Sequence, residues 1–202
     1  MKPLAALLAL VTVASATPIP LTDGKSFDGW EGDTAKTWRL VDGAFVGGSL
    51  KDTVPNNEFL STKKSYGNFE LRLKFKLTGT EGFVNGGVQF RSKRIPNNFE
   101  MIGYQADIGD GYYGSLYDES RRNKILAAAD KEVIAKAVHL NEWNDYRIRC
   151  EGRHIQFWIN GIQTVDYTEP DETIDLTGQI AVQIHGGAKA EAAYKDIVIE
   201  EL

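Results

Sequence analysis

The sequence predicts an all-β fold: an antiparallel β-sandwich of the jelly-roll kind with little helix. Apolar residues alternate with polar ones along many short segments, turn residues separate these segments, and no strand–helix–strand rhythm occurs. The 20 glycines and only 6 prolines suit strands that are joined by tight turns. With 202 residues, 42% of them hydrophobic, the chain is long enough for one domain with a substantial core.

The first 17 residues do not follow this alternation. They read MKPLAALLALVTVASAT, in which Lys2 precedes an apolar run and a small-residue exit. This pattern predicts a secretory signal peptide at residues 1–17 and a single jelly-roll domain at residues 18–202. The apolar run is too short to span a bilayer. We therefore expect a secreted or periplasmic protein that has no membrane span after signal cleavage.

The strand candidates follow the alternation along the chain. Residues 69–77 alternate apolar and charged side chains, which predicts a half-buried strand. Residues 154–159 repeat this pattern before Asn160–Gly161, a pair that is typical of a hairpin turn. Residues 121–139 alone have a helical composition, and we expect a loop with one short helix there. Further strand candidates are residues 37–48, 57–63, 86–92, 101–109, 145–154, 178–187 and 192–202.

Charge and cysteine content exclude several classes of function. The net charge of −5 argues against a nucleic-acid partner, because phosphate binding needs a clustered excess of lysine and arginine. Cys150 is the single cysteine, and it alternates in phase with Tyr146 and Ile148 on the apolar side of a strand. We therefore interpret Cys150 as a small buried hydrophobe and not as a nucleophile.

Three strand candidates place planar hydrogen-bonding side chains opposite their apolar residues. Val88 and Phe90 are expected to face the core, so that Gln89 and Arg91 share the opposite face. The same alternation assigns four more side chains to the face away from the core: Gln105, Asp107, Gln183 and His185. Such groups bind hydroxyl and carbonyl oxygens through directed hydrogen bonds. If the strands are neighbours, they form a polar floor that is suited to a sugar.

The segment from Gly103 to Arg122, GYQADIGDGYYGSLYDESRR, is divided in two by its glycines. Its first half is the strand that carries Gln105 and Asp107. Its second half is a glycine-hinged hairpin or rim, for which two interpretations stay open. It closes over a substrate, or it is an internally salt-bridged loop. The residues concerned are Tyr113, Tyr117, Asp118 and Arg121.

Several motifs follow one another in the order of a known family. They are LTDGKSFDGW, GNFELRLKFKL, VNGGVQFRS, NEWNDYRIRCEGRHIQFWINGI and GQIAVQIHGG. This ordered set resembles the 3-keto-disaccharide hydrolase family from about residue 20 to residue 202. The resemblance implies a concanavalin-like jelly roll and an exported enzyme that acts on a small saccharide. The chain departs from the family pattern at residues 85–88, where Asn-Ser-Gly-Ile is usual, and at residues 99–107, where Glu100 is separated from Gln-x-Asp.

The resemblance also implies a mechanism. A 3-keto group acidifies the C2–H bond, a base removes that proton, and the C1 substituent leaves, after which water addition gives net hydrolysis. Either His185 or Asp107 is expected to be the base, and Arg91 or a bound divalent cation the electrophile that stabilises the enolate. The catalytic set carried over is Arg91, Asp107, His185 and Glu100, and the expected substrate-binding residues are Gln89, Gln105, Gln183 and the rim residues above.

One other mechanism and one other function were considered beside this enzyme. The chain has no Glu-x-Asp-x-x-Glu strand, which disfavours the two-carboxylate hydrolysis of jelly-roll glucanases. A non-catalytic carbohydrate-binding module has the same kind of fold, and polar strands with aromatic residues also bind glycans without any chemistry.

Overall fold

A computed structural model describes residues 17–202, so the predicted signal peptide lies outside the described residues except for its last position. The described chain forms fifteen strands and one helix. In chain order the elements are β1 (Ile19–Pro20), β2 (Trp30–Glu31), β3 (Trp38–Val41), β4 (Ala44–Ser49), β5 (Glu58–Tyr66), β6 (Phe69–Gly82), β7 (Asn85–Arg94), β8 (Met101–Gly109), β9 (Leu116–Glu119), β10 (Lys124–Ala127), α1 (Lys131–Ala137), β11 (Asn144–Glu151), β12 (His154–Ile159), β13 (Ile162–Thr168), β14 (Gly178–Ile184) and β15 (Ala188–Glu201).

The strands form two antiparallel sheets. The first sheet has the order β13-β12-β11-β6-β15-β4-β3, with β1 added along β15. The second sheet has the order β10-β9-β8-β7-β14-β5-β2. Most neighbours in these sheets are distant in sequence, as in a jelly roll. The predicted all-β sandwich with one short helix is confirmed.

The core lies between the two sheets and is built from the alternating apolar residues. Leu71, Ile148 and Phe157 of the first sheet are fully buried in the same hydrophobic cluster as Val88 and Ile180 of the second. Cys150 belongs to this cluster, and burial raises the pKa of its thiol to about 12. The thiol therefore stays protonated at neutral pH, which agrees with a packing role.

The other side of the second sheet carries polar residues, and we call it the polar face. On β8 the core residues Tyr104, Ala106 and Ile108 alternate with Gln105 and Asp107, which point to the polar face. This face also carries a small apolar cluster of Phe59, Met101 and Ala181. Its polar residues Gln105 and Asp107 are buried although they lie outside the main core.

A β-bulge interrupts β7 directly after Phe90. The register against β8 shifts between Phe90 and Lys93, and Arg91 has a positive φ of 48°. The expectation that Arg91 shares the face of Gln89 is therefore wrong, because the bulge adds a residue and breaks the alternation. Ser92 takes the place of Arg91 beside Gln89, and its hydroxyl donates a 2.7 Å hydrogen bond to Gln89 Oε1.

The side chain of Arg91 instead joins the ends of the two sheets. Its guanidinium donates to the Gly67 carbonyl (3.0 Å), to the Gly152 carbonyl (2.7 Å) and to Asn68 Oδ1 (3.2 Å). These acceptors lie in the β5–β6 turn and the β11–β12 turn. Arg91 is 3% exposed, and burial lowers its pKa. The interaction is structural and faces away from the polar face.

A buried ionic cluster lies where β8 and β9 meet the segment after β13. Asp118 is fully buried and accepts hydrogen bonds from Arg121 and Arg122. Arg122 also pairs with Glu169, which accepts a 2.7 Å hydrogen bond from the Tyr104 hydroxyl. Burial opposes ionisation of Glu169, but the bonds from Arg122 and Tyr104 prevail and lower its pKa to about 2.

The single helix of the described chain, α1, is short and lies at the side of the sandwich. It spans seven residues, from Lys131 to Ala137, and Ala137 is its buried residue. Within residues 17–202 no helix is long and apolar enough to cross a membrane.

Replacing Arg91 by alanine should destabilise the fold. The change leaves two backbone carbonyls without their charged donor, so the free energy of unfolding in urea should fall by at least about 2 kcal/mol. Lys93→Ala is the matched control, because it removes an exposed ion pair with Asp175 and should cost less than about 1 kcal/mol. Equal effects of the two substitutions would contradict the structural role of Arg91.

Candidate functional site

Strands β8, β7 and β14 are neighbours and bring the predicted polar side chains together. Gly87 on β7 lies opposite Gln183 on one side and opposite Asp107 on the other. Two residues further along β7, Gln89 lies opposite Gln105. These side chains form a continuous patch on the polar face, and the four that have side-chain polar groups are each at most 3% exposed.

A directed chain of hydrogen bonds ends at the carboxylate of Asp107. Gln89 Nε2 donates to Gln105 Oε1 (2.8 Å), and Gln105 Nε2 donates to Asp107 Oδ1 (3.1 Å). Asn85 Nδ2 also donates to Asp107 Oδ1, at 3.2 Å. Because Asp107 Oδ1 accepts the bond from Gln105, it fixes the orientation of the Gln105 amide, and through that amide the orientation of Gln89. The Ser92 hydroxyl, which donates to Gln89 Oε1, completes the chain.

Gly87 gives the side chain of Gln105 room to reach Asp107. A Cβ atom on Gly87 would lie 2.7–2.9 Å from Cδ, Cγ and Nε2 of Gln105. Any side chain at position 87 would therefore displace the amide that donates to Asp107. The glycine is part of the site because it allows this close approach.

A small pocket opens on the polar face above Asp107, and we call it the polar pocket. Its volume is about 160 Å³, the volume of about five water molecules in the liquid. The residues that line it come from the three strands β7, β8 and β9 and from segments that adjoin strands. They are Asn57, Phe83, Asn85, Gln105, Asp107, Tyr112, Tyr117, Glu119 and His185.

His185 follows β14 and lines the polar pocket with its imidazole ring. Its Nδ1 lies 2.7 Å from the Gly186 carbonyl, which can only accept a hydrogen bond. Nδ1 therefore carries the proton, and Nε2 of the neutral ring has the free lone pair. The ring edge contacts Phe83, with 4.8 Å between centroids, and the backbone N–H of His185 donates to the Asn85 carbonyl.

Two carboxyl groups of the polar pocket hold their protons up to neutral pH. Burial raises the pKa of Asp107 to about 7, although the bonds from Gln105 and Asn85 act in the opposite direction. Burial, together with the charge of Glu100, raises the pKa of Glu119 to about 7. A carboxylic acid near its pKa can donate a proton or a hydrogen bond at neutral pH.

Glu100 lies beside the polar pocket and is held by Asn57. Asn57 Nδ2 donates to Glu100 Oε1 (2.9 Å), and Asn57 Oδ1 accepts from the Gly186 N–H (2.9 Å). Within residues 17–202, Glu100 Oε2 and both polar atoms of the Gln183 side chain are buried without a hydrogen-bond partner. These three atoms can therefore form hydrogen bonds for which the described chain supplies no partner.

The structure thus brings together part of the predicted set. Gln105, Asp107, Tyr117 and His185 line the polar pocket, Glu100 adjoins it, and Gln89 and Gln183 lie in the buried layer of the polar face. Four predicted residues lie elsewhere: Arg91, Tyr113, Asp118 and Arg121.

The positions of Asp118 and Arg121 follow from which side chains of β9 face the core. Leu116 faces the core, and so does Asp118, which lies two residues later on the strand. Asp118 forms ion pairs with Arg121 and Arg122. Tyr113 stacks on the core residue Phe75, with 6.4 Å between ring centroids. The alternative of an internally salt-bridged loop therefore describes Asp118 and Arg121, whose side chains do not line the polar pocket.

Five residues of the polar pocket were not among the candidates: Asn57, Phe83, Asn85, Tyr112 and Glu119. Glu119 could have been found from alternation, since it lies two positions after Tyr117 on the same strand. Asn57 and Phe83 lie outside the regular strands, where periodicity gives no signal.

One common kind of metal-ligand set does not occur in the described part of the chain. Across residues 17–202 there is no group of three or more His, Cys, Asp or Glu side chains placed to hold a metal ion. The divalent cation that was expected as an alternative electrophile thus has no such ligand set in this part of the chain.

A family comparison covers nearly the whole described chain. The model of the 3-keto-alpha-glucoside-1,2-lyase-like domain matches residues 17–200. The chain belongs to this family. The resemblance drawn from the ordered motifs is therefore confirmed. Among curated proteins, none matches the chain in sequence.

Solved structures share the fold at low sequence identity. A proposed glycosyl hydrolase from Parabacteroides distasonis ATCC 8503 has a TM-score of 0.67 at 19% identity, covering 92% of this chain and 94% of that one. The carbohydrate-binding module CBM66 from Bacillus subtilis has a TM-score of 0.66 at 15% identity, covering 86% and 96%. The carbohydrate recognition domain of Emp47p has a TM-score of 0.61 at 13% identity, covering 94% and 98%. At these identities the likeness establishes the fold alone.

Protonation of Asp107 should make stability depend on pH. The pKa of Asp107 in the folded chain, about 7, is higher than its ordinary value of 3.8, so the folded state binds the proton more tightly. The contribution of this proton to the free energy of unfolding is fully present below about pH 4 and is lost as the pH rises through 7. As the pH rises from 5 to 8, this group should lower the unfolding free energy of the wild type by about 2–3 kcal/mol, and Asp107→Asn should not show that loss.

Chemical denaturation at several pH values measures this difference. Asp110→Asn, on the exposed turn after the same strand, is the control and should give a curve parallel to wild type. A parallel curve for Asp107→Asn as well would show that Asp107 is ionised throughout this range and would contradict the assignment.

Proposed function

We propose that this chain is an exported carbohydrate-active enzyme that cleaves 3-keto-α-glucosides in the polar pocket by elimination across C1 and C2. The observation that carries the proposal is the arrangement of a basic nitrogen, His185 Nε2, in one small pocket with two carboxyl groups whose pKa is about 7. The family match supports the same chemistry.

His185 is the proposed base that removes the proton from C2 of the sugar. Its Nε2 has the free lone pair because Nδ1 donates to Gly186, and Phe83 packs against the ring and limits its rotation. Asp107, the other candidate base, is less suited, because its buried carboxyl is largely protonated below pH 7. The sequence left the choice between these two residues open, and the geometry favours His185.

Asp107 is proposed to stabilise the enolate, the role that was expected for Arg91. Its neutral carboxyl can donate a hydrogen bond to the 3-keto oxygen, on which negative charge develops in the enolate. The carboxyl is already oriented by Asn85 and Gln105, so little reorganisation is needed when charge appears. Arg91 is bound to backbone carbonyls on the other side of β7 and has no part in this step.

The electrons are balanced as follows. The electron pair of the C2–H bond forms the C2–C3 double bond of an enolate, the π pair of C3=O moves onto the oxygen, and the proton moves to His185 Nε2. When the enolate collapses, C3=O is restored, C1=C2 forms, and the C1–O bond breaks. The leaving oxygen takes a proton, for which Glu119 is the proposed donor because of its raised pKa. Addition of water to C1=C2 then gives net hydrolysis.

The remaining polar groups are proposed to bind the sugar hydroxyls. Gln105 and Asn85 line the polar pocket with amide groups, and Tyr117 adds a hydroxyl. Glu100 and Gln183 have unused hydrogen-bonding atoms next to it. The export of the protein is proposed from the leader at residues 1–17.

The second candidate function is carbohydrate binding without chemistry. The likeness in fold to CBM66 and to the Emp47p carbohydrate recognition domain supports it. The two functions are separated by incubating the protein with a 3-keto-disaccharide and with its unoxidised parent. Release of free sugar from the keto compound alone favours the enzyme, and binding of both compounds without release favours the module.

Replacing His185 by alanine should lower kcat on a 3-keto-α-glucoside by about 10²–10⁴-fold, because general-base catalysis contributes that much. His154→Ala is the matched control, since His154 is a half-buried residue that pairs with Asp166 on the first sheet, away from the polar pocket. The rate is followed as release of the C1 substituent. Wild-type turnover by His185→Ala, with its fold confirmed by thermal unfolding, would show that another group is the base.

A further inference from the structure

A second cavity adjoins the polar pocket, and we call it the apolar cleft. It lies between the turn after β8 and the helix α1, and its volume is about 560 Å³. Its lining residues are Asp110, Gly111, Tyr112, Tyr113, Ala129, Lys131, Ile134, Ala135, Val138 and Leu140. The cleft has no role in the proposed chemistry as described so far.

Tyr112 connects the two cavities, because it lines both of them. Its ring makes an edge contact with Phe83, with 5.7 Å between centroids, and Phe83 makes the next edge contact with His185. A row of three aromatic rings thus leads from the proposed base to the apolar cleft. A ligand whose reacting end lies at His185 can therefore extend past Phe83 and Tyr112 into the cleft.

The walls of the cleft differ in chemistry from those of the polar pocket. The helix side supplies Ile134 and Val138, the segment after it supplies Leu140, and the opposite side supplies the rings of two tyrosines. Charged groups are few: Asp110 and Lys131 are both exposed residues. A second sugar would lose hydrogen bonds to water here without regaining them, whereas a flat apolar ring would bury its surface against matching walls.

We propose that the apolar cleft is the aglycone subsite and that it selects 3-keto-glucosides with an aromatic aglycone over 3-keto-disaccharides. The inference rests on the proposed function, because it places the sugar ring in the polar pocket. The aromatic walls of Tyr112 and Tyr113 favour an aryl group over an alkyl chain, since rings gain additional energy from edge and offset contacts.

The test compares an aryl 3-keto-α-glucoside with a 3-keto-disaccharide as substrates. Ile134→Asp and Leu140→Asp each place a carboxylate in the wall of the cleft. Leu140 is 66% exposed, so its replacement does not threaten the fold. Each variant should lose about tenfold or more in kcat/KM for the aryl substrate, and less than twofold for the disaccharide. Lys136→Asp is the control, because it adds the same carboxylate to α1 outside the cleft lining.

A binding measurement separates failure of the subsite from failure of the proposed reaction. Calorimetric titration with phenyl α-glucoside and methyl α-glucoside requires no turnover. The wild-type protein should bind the phenyl compound about tenfold or more tightly, and both cleft variants should lose that preference. If the two glucosides bind equally, or if the preference survives both substitutions, the aglycone assignment is overturned even where a 3-keto-glucoside is cleaved. If the preference is present and lost as expected but no 3-keto-glucoside is cleaved, the subsite stands and the proposed reaction fails.

Discussion

The burial of the Asp107 carboxyl is the constraint around which the polar face is organised. A carboxyl group that is 3% exposed must either be neutral or receive strong hydrogen bonds, and here both conditions operate. Gln105 and Asn85 donate to it, and the Gln105 amide reaches it only because position 87 is a glycine. The strand order β8-β7-β14 holds these groups next to His185. The same order buries the opposite face of each strand in the core, so fold and site depend on a single alternation.

The fold and part of the site could be predicted from period-two alternation, because the physical cause of the pattern is local. Every second residue of a half-buried strand faces the core, which placed Gln105 and Asp107 correctly on the face away from the core. The prediction for Arg91 was wrong because a one-residue bulge is a long-range property of the pairing between β7 and β8. The residues from Gln89 onward contain no signal that predicts the bulge. Because Arg91 lies next to other hydrogen-bonding residues in the sequence, it was expected to bind the sugar. In the structure, that arginine connects the ends of the two sheets.

The rest of the site could not be read from single segments. Asn57 and Phe83 come from irregular segments that meet His185 only in the folded chain. The short strand β9 offers four residues, too few for its phase to be certain before Leu116 is known to be buried. That phase decides whether Asp118 or Glu119 faces the polar pocket. The resemblance to a family supplied the chemistry of the substrate and the candidate catalytic residues, whereas the choice of His185 as base and the roles proposed for Asp107 and Glu119 come from the geometry.

The central claim is that the polar pocket removes a proton from C2 of a 3-keto sugar. The most direct measurement uses 3-keto-1,5-anhydroglucitol, which has no leaving group at C1, so that proton removal is observed without cleavage. In deuterated buffer, NMR should show that wild-type protein exchanges the C2 hydrogen for deuterium well above the rate in buffer alone. His185→Ala should reduce this exchange to the buffer rate. Exchange at the buffer rate with the wild-type protein, under conditions in which the sugar is bound, would contradict the account.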